Sequence, residues 1–272
     1  MLLLIHGNMN SSKHWDLLLE NLDPRYKVYA VDLRGFGIST YHQPIEDLTD
    51  FARDVKMFTD ALGLASFHLA GWSTGGGIAM QFAADYPEQV RKLILLASMS
   101  TRGYPFYHDN HANTGLLQRA KTREEIYALR KTNLVVEAGE RRDKEFMRTL
   151  FNGAVYPHRQ PSPERYEEYL DDILTQRNLA DVYHGLNVFN ISEVDHEAAK
   201  GSGAVKLIQA KTLVLWGKDD LVISEQMTRE ILEDLGALAK PVLLEQCGHS
   251  PLIDQLPLLL EQINCFLQEE QA

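Results

Sequence analysis

The sequence predicts an α/β fold in which a mostly parallel sheet carries helices on both faces. Short apolar runs alternate along the chain with segments whose apolar residues recur every three or four positions. With 272 residues, of which 44% are hydrophobic, the chain is large enough to bury the core of such a fold. In chain order, the predicted strands are Leu2 to Ile5, Lys27 to Val31, Phe67 to Ala70, Lys92 to Ala97, Thr212 to Trp216 and Pro241 to Gln246.

Amphipathic helices are predicted between these strands, because a helix that covers a sheet needs one apolar face. Apolar stripes at helical spacing run from Leu48 to Leu62, from Met227 to Leu235 and from Leu252 to Phe266. The small residues from Gly75 to Ala84 predict a further helix. Strands and helices thus alternate as they do in parallel sheets with crossover helices.

The alternation is interrupted once, between the predicted strand that ends near Ala97 and the one that begins near Thr212. Connections in compact domains usually have about 4–6 residues, so a segment as long as this one must have a fold of its own. Helical spacing from Tyr166 to Leu174 and charged runs such as Arg141 to Glu145 predict helices within the segment.

These boundaries predict a core domain of residues 1–100 and 208–272, with an inserted helical cap of residues 101–207. The cap is expected to lie over the edge of the sheet at which the strands end. Gly201 to Gly203 are expected to form the hinge at which the chain re-enters the core.

The net charge and the cysteine content indicate which partners the protein is not expected to bind and in which compartment it is expected. A net charge of −11 disfavours nucleic acids and anionic membranes as partners, because both need clustered Lys and Arg. Cys247 and Cys265 are too few for a disulfide framework and lack metal-site spacing, which favours a cytoplasmic location. The apolar run from Met1 to Ile5 has no basic flank, so we expect no secretory signal, and no apolar run approaches membrane-spanning length.

The pentapeptide Gly71-Trp72-Ser73-Thr74-Gly75 lies between a predicted strand and a predicted helix, where G-x-S-x-G is typical of a nucleophile elbow. Glycine on either side keeps Cβ atoms out of a corner where two backbones nearly touch. With Gly and Ser at about 7% each, the pattern arises by chance in about one chain in ten of this length. The assignment of Ser73 as a nucleophile therefore depends on its partners.

A serine hydroxyl needs a general base within hydrogen-bond reach and a third group that orients the base. His249 follows the last predicted strand, and Asp219 and Asp220 follow the strand before it. Because parallel strands end at one edge of a sheet, these side chains are expected near Ser73. Either aspartate could accept the other ring N–H of His249.

The order Ser73, aspartate, His249 is the order of α/β-hydrolases and differs from those of two serine protease families. With the elbow, it makes the chain resemble α/β-hydrolases with a helical cap over nearly its whole length. The resemblance implies that the acid is Asp220, three residues after the glycine that ends its strand. It also implies an oxyanion hole formed by the backbone N–H groups of Asn8 and Thr74.

Three segments are similar to the intracellular polyhydroxybutyrate depolymerases of bacilli, namely Leu4 to Met9, Asp32 to Gly37 and the Gly-Trp-Ser box. This narrower resemblance implies a 3-hydroxyalkanoate ester as one candidate substrate. The expected reaction is hydrolysis of a small to medium carboxylic ester through an acyl-enzyme. Carbon–carbon bond hydrolases and cofactor-free perhydrolases resemble the chain equally in fold and triad, and a ligand receptor with little or no turnover is a further alternative.

Five apolar or aromatic residues are predicted to line an acyl pocket, although apolar residues beside a core mostly belong to that core. They are Trp72, Met99, Tyr104, Phe106 and Phe189.

No cofactor or metal is expected. Gly75 to Gly77 do not match the dinucleotide fingerprint, and the sequence has no phosphate-binding lysine loop. His108 and His111 have a spacing found in metal sites, but no third ligand stands out.

The chain begins at the strand that carries His6 and Gly7, whereas relatives usually have a pair of strands before it. By resemblance, the absent pair would lie beside the strand from Lys27 to Val31, which thereby becomes the edge of the sheet. An edge strand has unpaired backbone groups, so we expect either a longer native protein or a second copy that covers this edge. Sedimentation and thermal melting of the chain with and without an added N-terminal hairpin test this expectation.

Overall fold

The computed structural model describes residues 1–109 and 117–269. In these residues six parallel strands form one sheet in the order β2-β1-β3-β4-β5-β6. Each of the six predicted strands is present, with ends shifted by no more than two residues, and the predicted fold class is confirmed. The strands are β1 (Leu2–Ile5), β2 (Val28–Val31), β3 (Phe67–Trp72), β4 (Val90–Leu96), β5 (Lys211–Gly217) and β6 (Ala239–Leu244).

Helices connect the strands, and further helices lie in the described part of the long insertion. Those of the core are α1 (Asp16–Asn21), α2 (Leu48–Ala61), α3 (Thr74–Asp85), α9 (Glu225–Leu235), α10 (Pro251–Asp254) and α11 (Leu256–Gln268). Those between β4 and β5 are α4 (Arg123–Ala128), α5 (Arg130–Glu140), α6 (Lys144–Ala154), α7 (Pro163–Ile173) and α8 (Leu179–Val188). Short 3-10 turns cover Ser12–Trp15, Pro87–Gln89, Ala204–Leu207 and Gly236–Leu238.

The alternating side chains of β1 show how the sheet separates two apolar layers. Leu3 and Ile5 pack with apolar residues of α2, α3 and α9, whereas Leu2 and Leu4 pack with residues of α1 and α11. All four side chains are fully buried. Since successive strand residues point to opposite faces, helices cover the sheet on both sides.

The apolar stripe from Leu252 to Phe266 does not form the single helix that its spacing predicts. It is divided at Gln255, where φ is −137° and ψ is 36°, between α10 and α11. Pro257 lies in the first turn of α11, where its missing N–H has no intrahelical partner to lose. The charged run Arg141 to Glu145 likewise spans the junction of two helices, with Arg142 at φ 53°.

The insertion is helical, as predicted, but it shares its packing with the core. An apolar cluster within it includes Val135, Phe151 and Tyr169 and also takes in Met9 from the core. Phe106 and Ile126 instead belong to the apolar layer that covers the sheet. The division into a core domain and a cap of residues 101–207 stays a prediction.

The strand β2 lies at one end of the sheet order, as the sequence predicts. In the described residues its inner side pairs with β1, and no strand pairs with its outer side. Association of two copies through this edge stays a prediction, and sedimentation velocity over a range of protein concentrations will test it. Within the same residues, no helix combines the length and the apolar character that crossing a membrane requires.

Candidate active site

Ser73 lies in a strained turn between the end of β3 and the start of α3. Its backbone has φ 57° and ψ −119°, a conformation that costs a residue with a Cβ about 1–3 kcal/mol. A Cβ added to Gly71 would lie 2.2 Å from the carbonyl oxygen of Gly75, and one added to Gly75 would lie 2.3 Å from that of Ile5. The two glycines therefore allow the backbones to approach closely enough to form the turn.

Ser73, His249 and Asp220 form one hydrogen-bonded chain. The Nε2 atom of His249 lies 3.0 Å from Oγ of Ser73, and its Nδ1 atom lies 2.9 Å from Oδ2 of Asp220. The three residues follow β3, β6 and β5, so each is placed by the carboxyl end of a separate strand. An N–H at Nδ1 would leave Nε2 free to accept the serine proton.

Asp220 is the aspartate that contacts His249, and Asp219 has a different partner. The second oxygen of Asp220 accepts the backbone N–H groups of Val222 and Ile223 at 2.7 and 2.8 Å, and its side chain is 1% exposed. Asp219 is 46% exposed and lies 2.9 Å from Nε2 of His158. Buried hydrogen bonds thus fix Asp220, whereas Asp219 belongs to a surface pair.

Trp72 connects the elbow to the loop that carries His249. Its indole N–H donates to the backbone carbonyl of His249 at 2.9 Å, and the two rings are 5.9 Å apart. Trp72 is 1% exposed. It therefore restrains the histidine from the end of β3, directly before Ser73.

Asn8 and Thr74, whose backbone N–H groups are the predicted oxyanion donors, lie beside Ser73. Both residues line the same cavity as Ser73 and His249. Thr74 is the first residue of α3, so its N–H has no acceptor within the helix. In the described part of the chain neither N–H donates to another protein group, which leaves both available to an oxygen in the cavity.

The side chain of His6, two residues before Asn8, is hydrogen-bonded to the backbone and is buried. Its Nε2 accepts the backbone N–H of Leu33 at 3.0 Å, and its Nδ1 lies 2.7 Å from the carbonyl oxygen of Gly7. Complete burial lowers the pKa of the imidazole to about 4. The ring is therefore neutral and holds the loop after β1.

A cavity of about 280 Å³ lies above Ser73. Four of the five predicted lining residues line it, namely Trp72, Met99, Tyr104 and Phe106. Phe189, the fifth, follows α8 and is buried outside this lining. Lining residues outside that prediction come mostly from the insertion: Lys131, Val135, Leu150, Phe151, Ala154, Val155, Tyr183 and Leu186.

The described residues contain no group of three His, Cys, Asp or Glu side chains that could hold a metal ion. His108 lies 3.6 Å from a carboxylate oxygen of Glu125. His111 lies outside the described residues.

Cys247 is fully buried, and burial raises the pKa of its thiol.

The sequence pattern of the family described as alpha/beta hydrolase fold matches residues 1–256. The chain belongs to this family. A 2-hydroxymuconate semialdehyde hydrolase of Pseudomonas sp. (strain CF600) is 26% identical to this α/β-hydrolase, over 100% of this chain and 88% of that protein. The match confirms the resemblance at the level of the family and supports hydrolase activity.

Solved esterase structures share the fold of this α/β-hydrolase. One from Thermogutta terrifontis has a TM-score of 0.70 at 22% identity and covers 98% of this chain and 89% of its own. One from Exiguobacterium antarcticum has a TM-score of 0.75 at 18% identity, and the match covers 98% of this chain and 91% of that one. At these identities the likeness concerns the fold alone. The narrower resemblance to polyhydroxybutyrate depolymerases is not shown by these relatives.

Proposed function

We propose that this α/β-hydrolase is a serine hydrolase that cleaves carboxylic esters of small to medium size through an acyl-enzyme. The observation that carries the proposal is the hydrogen-bonded chain Ser73–His249–Asp220, which lies at a mostly apolar cavity. Such a chain activates a hydroxyl, and the cavity holds a carbonyl compound against it.

Acylation follows from the positions of these groups. Oγ of Ser73 attacks the ester carbonyl carbon while Nε2 of His249 takes the hydroxyl proton, and Asp220 stabilises the imidazolium. The carbonyl oxygen becomes an oxyanion that accepts the N–H groups of Asn8 and Thr74. When the tetrahedral intermediate collapses, the imidazolium gives its proton to the leaving alcohol.

Deacylation repeats these steps with water. His249 takes a proton from the water molecule that attacks the acyl-enzyme, and then returns a proton to Oγ of Ser73. The products are a carboxylic acid and the regenerated serine, so the cycle consumes one water for each ester.

The cavity supports an acyl group of limited size. Its volume of about 280 Å³ lies just below the range of about 300–1,000 Å³ for small-molecule sites, and its lining is mostly aromatic and aliphatic. A 3-hydroxyalkanoate ester is one candidate of this size.

A panel of nitrophenyl esters of graded acyl length, with a 3-hydroxybutyrate ester included, tests the proposal directly. We expect turnover that peaks at a short or medium acyl length and that is lost in Ser73→Ala. A protein that binds such esters without turning them over, and that a fluorophosphonate does not label, would be a receptor instead.

Carbon–carbon bond hydrolysis is the second candidate, because the Pseudomonas relative matched over the whole chain is named for 2-hydroxymuconate semialdehyde. The same compound can be offered in parallel with the ester panel. A kcat/KM for the semialdehyde far above that of the best ester would assign the chain to carbon–carbon cleavage.

Phe106 and Phe189 form a matched pair for testing the cavity, since both are buried phenylalanines of the insertion but only Phe106 lines the cavity. Phe106→Ala should raise kcat/KM for an ester that is too long for the wild type by about tenfold, because pocket contacts discriminate by about 1–3 kcal/mol per methylene. Phe189→Ala should lower stability and leave the chain-length profile unchanged. Equal profiles in both variants would show that Phe106 does not limit acyl length.

A further inference from the structure

The segment between α7 and α8 holds the loop that supplies Asn8. Gln176, in this segment, accepts the backbone N–H of Met9 through Oε1 at 3.1 Å and donates through Nε2 to Oδ1 of Asn8 at 2.8 Å. Gln176 and Asn8 are separated by 168 positions in the sequence. The insertion thus reaches the site by hydrogen bonds to the oxyanion loop as well as by lining the cavity.

The amide of Gln176 is fixed in one orientation. Nε2 also donates to Oδ1 of Asn178 at 3.0 Å, and Nδ2 of Asn178 in turn donates to the backbone carbonyl of Arg34 at 2.7 Å. Asn178 is 2% exposed. A flipped Gln176 amide would direct its N–H groups at the N–H of Met9 and its oxygen at two oxygens, so the network permits only one arrangement.

The loop needs such a restraint because its backbone is strained. Met9 has φ 58°, in the left-handed region that residues with a Cβ rarely adopt. Its N–H belongs to the peptide group that follows Asn8, and a relaxed Met9 would reorient the backbone next to the proposed oxyanion donor. Gln176 bonds this peptide on one side and the Asn8 side chain on the other.

We propose that Gln176 is a positioning residue for the oxyanion hole, because it holds the strained turn at Asn8 and Met9 so that the Asn8 N–H faces the reacting carbonyl. The inference rests on the proposed ester hydrolysis. It makes the insertion a contributor to transition-state stabilisation as well as to substrate selection.

Gln176→Met tests this role, since methionine keeps the length of the side chain and removes its hydrogen bonds. We expect kcat to fall by about 10-fold to 100-fold with KM within about threefold, less than the about 10²–10³ that loss of an oxyanion donor costs. The inhibition constant of a trifluoromethyl ketone, whose adduct with serine carries an oxyanion, should rise by the factor by which kcat/KM falls.

Thr175→Val is the matched control. Thr175 is the neighbouring residue, and its Oγ1 accepts the backbone N–H of Gly37 at 2.9 Å, a bond between insertion and core that does not involve Asn8 or Met9. We expect its kcat and its inhibition constant to stay within about twofold of the wild type. Asn8→Ala combined with Gln176→Met should cost less than the product of the two separate losses, because both remove the same bond.

Gln176→Glu covers the case in which the methionine variant does not fold. Its carboxylate can still accept from Met9 but cannot donate to Asn8, and on protonation it can donate again. Its activity relative to the wild type should therefore rise as the pH falls.

The outcomes separate this inference from the function on which it rests. A wild type without Ser73-dependent turnover overturns the proposed function and the role of Gln176 with it. A Ser73-dependent enzyme in which Gln176→Met matches Thr175→Val, or in which Gln176→Glu shows no gain at low pH when the methionine variant does not fold, overturns the role of Gln176 alone.

Discussion

Ser73→Ala should reduce kcat for the best ester by on the order of a millionfold, as removal of a serine nucleophile does in subtilisin. The substitution deletes the atom that attacks the carbonyl and leaves His249 with nothing to deprotonate. The fold should survive, because the close approach of the elbow depends on Gly71 and Gly75 and not on the serine side chain. Steady-state rates and a thermal melt of the same preparations measure both effects.

A fluorophosphonate probe supplies the independent measurement for Ser73. The probe should label one serine in the wild type, identified as Ser73 by peptide mass spectrometry, and should not label the alanine variant. Labelling of another serine, or turnover that the alanine variant retains, would remove Ser73 from the mechanism.

Asp220→Asn should lower kcat by about ten-thousandfold, the loss seen when the orienting carboxylate of a serine protease is replaced. An asparagine can still accept the N–H groups of Val222 and Ile223, but it presents an N–H donor to Nδ1 of His249. The histidine then carries its proton on Nε2, facing Ser73, and cannot act as the base.

Asp219→Asn is the control for this variant, because it changes the adjacent residue in the same way. The carboxylate of Asp219 is half-exposed beside His158, and exposed ion pairs contribute only about 0–1 kcal/mol. We expect its kcat within about threefold of the wild type. A larger loss at Asp219 than at Asp220 would exclude the role proposed for Asp220.

The strands and the elbow could be predicted because each leaves a local pattern. Buried parallel strands are apolar over their whole length, and the run from Leu2 to Ile5 matches β1 residue for residue. A nucleophile elbow requires glycine at fixed positions around Ser73, where the backbones nearly touch. Because parallel strands end at one edge of a sheet, the positions of Ser73 and His249 directly after strands predict that the two side chains meet.

The remaining features depend on contacts that leave no local pattern. The choice between Asp219 and Asp220 is made by the two backbone N–H groups that hold Asp220, which only the folded loop brings together. Phe106 and Phe189 are equally apolar, and the path of the chain after α8 decides that only Phe106 lines the cavity. Gln176 is a single polar residue in a loop, and its partners Asn8 and Met9 lie near the start of the chain, 168 and 167 positions away.

At Ser73 the residue that would give the more stable fold differs from the residue that catalysis requires. Glycine adopts φ 57° and ψ −119° without the about 1–3 kcal/mol that a residue with a Cβ requires, and its larger unfolded-state entropy offsets only about 0.5–1 kcal/mol of that difference. Selection for abundance alone would therefore drive position 73 towards glycine. We therefore expect lineages that lose the activity to lose this serine while the surrounding sheet is retained.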